Sequence, residues 1–379
     1  MSINVISADL VGAGNQYTAT SGETVILAED TMIVSTGGSG IYADGTVNNM
    51  NVVVAGSVYT YGNAINLRSD GITGDHSITV LDTGSIVAEF FTGLLIEGEN
   101  AIATNYGQIT TSRSAGMYLN SSTNGSLINF GTVTATSPDS FSTAMTVTFD
   151  VDVAHLENHG TLVGNSVIEG TVDIQSSGSV YFLNTGTVTS LSAAYMSSSS
   201  ANDTVVNTGL IQGDVNLGTG VDLFAGPGGT VNGRLLAGGG NDDIRISGSD
   251  DWVHGGAGTD VLYTDGDAMA LYQIETVRLL GTEGVAVGGD ATATTYYGSL
   301  GNDVVAAGDG ADIIHGRGGN DELHGDLGDD TIRGGAGDDE IHGGEGLDRL
   351  IGDADADVYV FASTSEMSAG AVGDRIELH

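Results

Sequence analysis

The chain has 379 residues, with 49 acidic side chains against nine basic ones and a formal net charge of −40. All nine basic residues are arginine, which excludes lysine chemistry, a polybasic lipid surface and a phosphate-loop lysine; the same charge repels nucleic acid. No cysteine is present to form a disulfide framework, and no apolar run is long enough for a transmembrane helix.

The opening stretch, MSINVISADLVGAGNQ, has no basic region and no long apolar run, so an amino-terminal signal peptide is not expected. A loose repeat then fills residues 1–215. It reads Ala55-Gly56-Ser57-Val58, Thr83-Gly84-Ser85-Ile86, Asn105-Tyr106-Gly107 and Asn129-Phe130-Gly131, then Asn158-His159-Gly160, Asn184-Thr185-Gly186 and Asn207-Thr208-Gly209. Successive glycines lie 28, 23, 24, 29, 26 and 23 residues apart, which suits one rung of a right-handed parallel β-helix. Between these corners, β-branched runs such as Val52-Val53-Val54 and Thr146-Val147-Thr148 predict strands. Asn and Gly tolerate left-handed corners, and stacked Asn side chains can bond from rung to rung.

From about Asn207 a stricter period takes over. LGTGVDLFA, residues 217–225, is a degenerate nine-residue unit around Asp222. Asp242, Asp251 and Asp260 follow at intervals of nine, with Ile244, Val253 and Leu262 two residues after each. Ser249 replaces a glycine in the middle unit. Residues 264–297 form a strand-rich spacer between blocks 216–263 and 298–361. In the second block Asp303, Asp312, Asp321, Asp330, Asp339, Asp348 and Asp357 again fall nine apart, each followed by an apolar residue, Val305 to Tyr359. A glycine precedes each by two, except at Asp355. The pattern is G-G-x-G-x-D-x-U-x, matched in full by GGAGDDEIH at 334–342 and GGAGTDVLY at 255–263.

Each unit predicts a glycine turn closed by the aspartate and a short strand whose apolar residue points inward. Two units make one coil of about eighteen residues, so alternate turns stack. Asp303, Asp321, Asp339 and Asp357 then share one edge, and Asp312, Asp330 and Asp348 the other. Five oxygen-rich clefts result, with a sixth between Asp242 and Asp260, and such donors suit calcium. Without the metal, facing aspartates repel over a thin core, so folding is expected to depend on calcium. The predicted fold class is all-β, a parallel β-helix continuing into a parallel β-roll.

Residues 216–361, apart from the spacer, resemble the RTX (repeats-in-toxin) calcium-binding family, and GDADADVYVF resembles the way such arrays close. The resemblance implies calcium held by the aspartate carboxylates and by turn carbonyls. Those carbonyls belong to Gly255, Gly256, Gly258, Gly316, Gly319, Gly334, Gly335, Gly337, Gly343, Gly344 and Gly346. It also implies export by a type I machine through a carboxy-terminal signal in the tail 362–379, placing the protein outside the cell or on its surface.

No catalytic constellation stands out. His155-Leu-Glu-Asn-His159 departs from the helical H-E-x-x-H zinc motif and reads as a polar outer strand. His254, His315, His324 and His342 fall at the ninth, outward position of their units. A β-helix enzyme acting on acidic polysaccharide needs clustered acids beside a cation or aromatic groups. The stretch 1–200 offers as cations Arg68 and Arg113 alone, while Tyr59, Tyr61, Tyr106 and Tyr118 are dispersed along it. A secreted structural protein that self-associates into a surface layer, filament or matrix is therefore expected. A polysaccharide lyase or epimerase and a soluble adhesin are the alternatives, with polysaccharide or a cell surface as the further partner.

Overall fold

The structure, a computed structural model, describes residues 2–68, 74–120, 123–137, 142–149, 152–166, 169–247, 252–268, 270–361 and 374–377. Asp251, Ser249 and most of the tail 362–379 lie outside them. The fold is all-β: the described residues contain no helix, and their strands pair in parallel. Two compact units are present, Met1–Thr219 and Gly220–His379.

In Met1–Thr219 each full rung supplies three short strands. Ser77–Val80, Ser85–Ala88 and Leu94–Ile96, for example, pair with Ile102–Asn105, Gln108–Thr111 and Met117–Asn120 of the next rung. Alternation along each strand sends every second residue inward. Register then stacks Val25, Val52, Ile78, Ala103, Leu127, Leu156, Phe182 and Val205 into one fully buried column.

A second column changes character along its length. It begins as Leu27, Val54 and Val80 and continues as Asn105, Asn129, Asn158, Asn184 and Asn207. Each buried amide Nδ2 donates to the next Oδ1 at 2.8–2.9 Å, giving the rung-to-rung bonds expected of stacked Asn. The corner glycines, however, do not adopt left-handed backbone. Gly107, Gly131, Gly160, Gly186 and Gly209 are needed for space, because a Cβ on each would strike the carbonyl of the glycine one rung earlier.

In Gly220–His379 the nonapeptide strands stack at a register of eighteen residues. Ile313–Gly318, Thr331–Ala336 and Arg349–Ala354 form one column, and Val304–Ala306, Glu322–His324, Glu340–His342 and Val358–Val360 another. The apolar eighth positions Ile314, Leu323, Ile332, Ile341 and Leu350 are wholly buried, as are Ile244, Val253 and Leu262. The segment 264–297 keeps the stacking: Thr276–Leu279 and Thr295–Tyr297 join Val261–Thr264 to Ile313–Gly318, with Val277 and Tyr296 filling the interior.

Candidate metal centre

The turn at Gly334–Asp339 shows why the nonapeptide has its sequence. Gly335 and Gly337 have φ of 122° and 126°, a region that favours glycine. Gly334 leaves room for a carboxylate, since a Cβ there would collide with Asp339 Oδ2. Gly255, Gly316 and Gly343 stand in the same relation to Asp260, Asp321 and Asp348. Gly256, Gly344, Gly258, Gly319 and Gly346 repeat the positive φ, at 106°, 98°, 143°, 114° and 151°. Arg317, Asp326, Asp353 and Asp355 occupy equivalent positions with φ of 78°, 70°, 76° and 80°, so four side-chain-bearing residues carry the strain that glycine avoids elsewhere.

The aspartates form two ladders of buried polar groups. Along one edge the backbone N–H of Asp303 donates to Asp321 Oδ1 at 2.8 Å, that of Asp321 to Asp339 at 2.9 Å and that of Asp339 to Asp357 at 3.2 Å. Along the other, Asp312 donates to Asp330 at 2.7 Å and Asp330 to Asp348 at 2.9 Å. Asp242 donates to Asp260 Oδ1 at 2.8 Å.

Each bond uses one carboxylate oxygen. The second oxygen of Asp242, Asp260, Asp312, Asp321, Asp330, Asp339 and Asp348 is buried with no hydrogen-bond partner. Burial, reinforced by neighbouring aspartates, pushes the carboxyls of Asp312 and Asp321 up to about 7 and those of Asp339 and Asp348 up to about 6. Asp260 also rises to about 6, and Asp242 and Asp330 shift the same way, chiefly through burial. A buried carboxylate without a partner costs several kcal/mol, and it escapes that cost by taking a proton or a cation. Among the described residues, no three His, Asp or Glu side chains converge on one point. The turns offer carboxylate and backbone carbonyl oxygen, a donor set that fits a hard cation such as calcium.

The family model of the RTX calcium-binding nonapeptide repeat matches four stretches, residues 236–268, 289–323, 297–332 and 324–359. Residues 236–268 and 289–359 of the carboxy-terminal unit are RTX repeats. All four matches lie within Gly220–His379, and RTX repeats bind Ca2+. Searches of curated proteins and of solved structures returned no match.

Several ladder members of the RTX unit carry no nonapeptide signature. Asp374 accepts the N–H of Asp348 at 3.1 Å and leaves its own Oδ2 buried and unpartnered, although the interval is 26 residues instead of eighteen. The order D-x-apolar in Asp374-Arg375-Ile376 was the available signal. Glu275 accepts from Asp260 N at 2.7 Å, and Thr294 N donates to Asp312 Oδ1 at 2.7 Å, which continues the column through the spacer. A second, exposed ladder runs one residue earlier in the repeat. Asn302 Oδ1 accepts from Asn320 N at 2.8 Å, Asn320 from Asp338 N at 3.1 Å and Asp338 from Ala356 N at 2.9 Å. Asp303 differs from the other aspartates: Ser299 N and Oγ bond its two oxygens at 2.6 and 2.9 Å.

His155, His159, His254, His315, His324 and His342 sit on outer faces, whereas His76 is buried and accepts from Met50 N at 3.2 Å. Glu157 bridges His155 and His159 at 2.5 and 2.7 Å on the strand side expected for them. His324 and His342 stack with ring centroids 4.1 Å apart, and His315 stacks on Tyr297 at 5.3 Å. His254 stacks on Tyr272 at 6.2 Å.

Proposed function

We propose that the chain is a secreted structural protein whose RTX unit is folded by calcium outside the cell and which then self-associates into a surface layer, filament or matrix. The observation that carries the reading is the row of buried aspartate oxygens without partners. Asp242, Asp260, Asp303, Asp312, Asp321, Asp330, Asp339, Asp348 and Asp357 are the proposed carboxylate ligands, together with Asp251. Turn carbonyls of the repeat glycines, from Gly255 to Gly346, complete the set, and about six ions fill the clefts. Asp374 adds a further cleft with Asp348. Asp303 already bonds within its own turn, so its cleft binds less tightly than its neighbours.

Extracellular calcium, at about millimolar, is the range in which weak oxygen sites of this kind operate. A roll that cannot fold before it meets calcium suits export as an unfolded chain, with the tail 362–379 as the proposed signal. Exposed Ile3, Val5 and Val11 in the first strands offer apolar surface for self-association. Electron microscopy and light scattering of the full chain with calcium and with chelator test the reading. Calcium-dependent assemblies are expected; monodisperse monomers at millimolar calcium would reject the assembly and favour a soluble adhesin.

A further inference from the structure

Within Met1–Thr219 a cleft of about 320 Å³ opens on the outer face of one sheet. Its floor is built from Ile65–Leu67, Leu94–Ile96, Met117–Asn120, Met145–Phe149 and Val172–Ser176. Strand alternation and register make Asn66, Leu95, Tyr118, Thr146 and Asp173 the outward row. Outward rows on an open sheet are wet, yet Asn66, Leu95 and Thr146 are 6 % exposed and Asp173 3 %. Asn63, Arg68, Phe91 and Glu169 are among the residues that wall this row in.

Three features of the cleft, and one in the row beside it, stand out chemically. Burial pushes the Asp173 carboxyl up to about 6, where its one bonded oxygen accepts from Gln175 Nε2 at 2.6 Å. Burial and the neighbouring Asp173 push Glu169 up to about 7, and no cation offsets either shift. Asn66 Oδ1 is buried with no donor. Arg68, one of two arginines in a unit without lysine, lines the same cleft beside the exposed ring of Phe91. The inward row beneath, Ile65, Leu94, Met117, Met145 and Val172, is fully buried and apolar, so it needs no polar support from above. Buried acids with raised pKa in a cleft are candidates for a ligand site.

We infer that this cleft binds a saccharide chain bearing carboxylates. Sugar hydroxyls supply partners that Asn63 and Gln175 can use. Phe91 and Tyr118 offer ring faces to the apolar side of a pyranose, and the Tyr118 hydroxyl is fixed by Thr148 Oγ1 at 2.7 Å. Arg68 meets the ligand carboxylate. A chain of net charge −40 repels anions over most of its surface. Below pH about 6, burial favours the protonated form of both acids, which then donate to the anion instead of opposing it. Among the described residues, the charged and titratable groups around the cleft are Arg68, Glu169, Asp173 and Tyr118, with Glu97 tied to Asn120 Nδ2 at 2.6 Å.

Isothermal titration of the full calcium-loaded chain with a galacturonate tetrasaccharide tests the site. Binding is expected at pH about 5.5, weakening about tenfold by pH about 8 as the two acids ionise. Arg68→Ala should weaken it about tenfold at pH about 5.5, while Arg245→Ala leaves it unchanged. Asp173→Asn, which keeps shape and removes the charge, should flatten the pH dependence. No binding by a folded chain, equal binding of a neutral glucose tetrasaccharide, or indifference to both cleft variants would overturn the proposal.

Discussion

The two units solve the same problem with different chemistry. Each carries buried polar side chains stacked in columns that tie turn to turn, one column in the first unit from Asn105 onward and two in the second. In Met1–Thr219 the column is asparagine, and each amide both donates and accepts. In the RTX unit it is aspartate, whose first oxygen accepts a backbone N–H and whose second has nothing to accept. One amide hydrogen per rung separates a ladder complete in itself from one that requires a cation. The first unit is then expected to be stable without metal, and the second to fold only with it.

The largest effect should come from exchanging the two chemistries. Asn158→Asp removes the donor to Asn184 and buries a carboxylate among amides, so denaturant unfolding of the first unit should show a loss of about 3 kcal/mol or more. A loss below about 0.5 kcal/mol would mean the amide ladder contributes little.

The converse change, Asp321→Asn, should act with opposite signs in the two metal states. In chelator it removes a buried charge and raises the β signal in circular dichroism. In calcium it removes a ligand charge and weakens the affinity about tenfold or more, as read by calcium titration. Loss of β structure under both conditions would mean that the carboxylate serves the fold and not the ion.

Acid should mimic the cation in part. The ladder carboxyls reach about 6 to about 7 when folded without metal, above an unfolded aspartate at about 3.9. The folded state therefore binds more protons over that window, and stability of the metal-free roll falls as pH rises from about 4 to about 7. Chelated protein should gain β signal on acidification from pH about 8 to about 5, and calcium uptake near pH 6 should release protons. The outer ladder is exposed and should matter least: Asn320→Ala is expected to cost about 0.5–1 kcal/mol in calcium, measured by thermal unfolding.

What the sequence made legible was whatever kept a fixed phase. The apolar eighth positions, from Val305 to Leu350, and the asparagine corners lie where their spacing put them, because register in a stacked coil is set by coil length. Asp374 escaped notice because 26 residues separate it from Asp348, and Glu275 and Thr294 because they hold ladder places with different side chains. The corner glycines were visible as glycines, but their reason, close approach of carbonyls between rungs, depends on stacking that no single rung displays. The cleft was the least legible. Arg68, Tyr118 and the pair Glu169 and Asp173 come from three rungs, and register brings the tyrosine that looked dispersed in the chain into the same cleft as the acids.

Hydrogen exchange of the full chain, read by mass spectrometry with calcium and with chelator, tests the central claim most directly. The account predicts that chelator abolishes protection across 303–360 while the asparagine-ladder strands of 102–207 keep theirs. Protection retained in both units without calcium, or lost from both together, would contradict it.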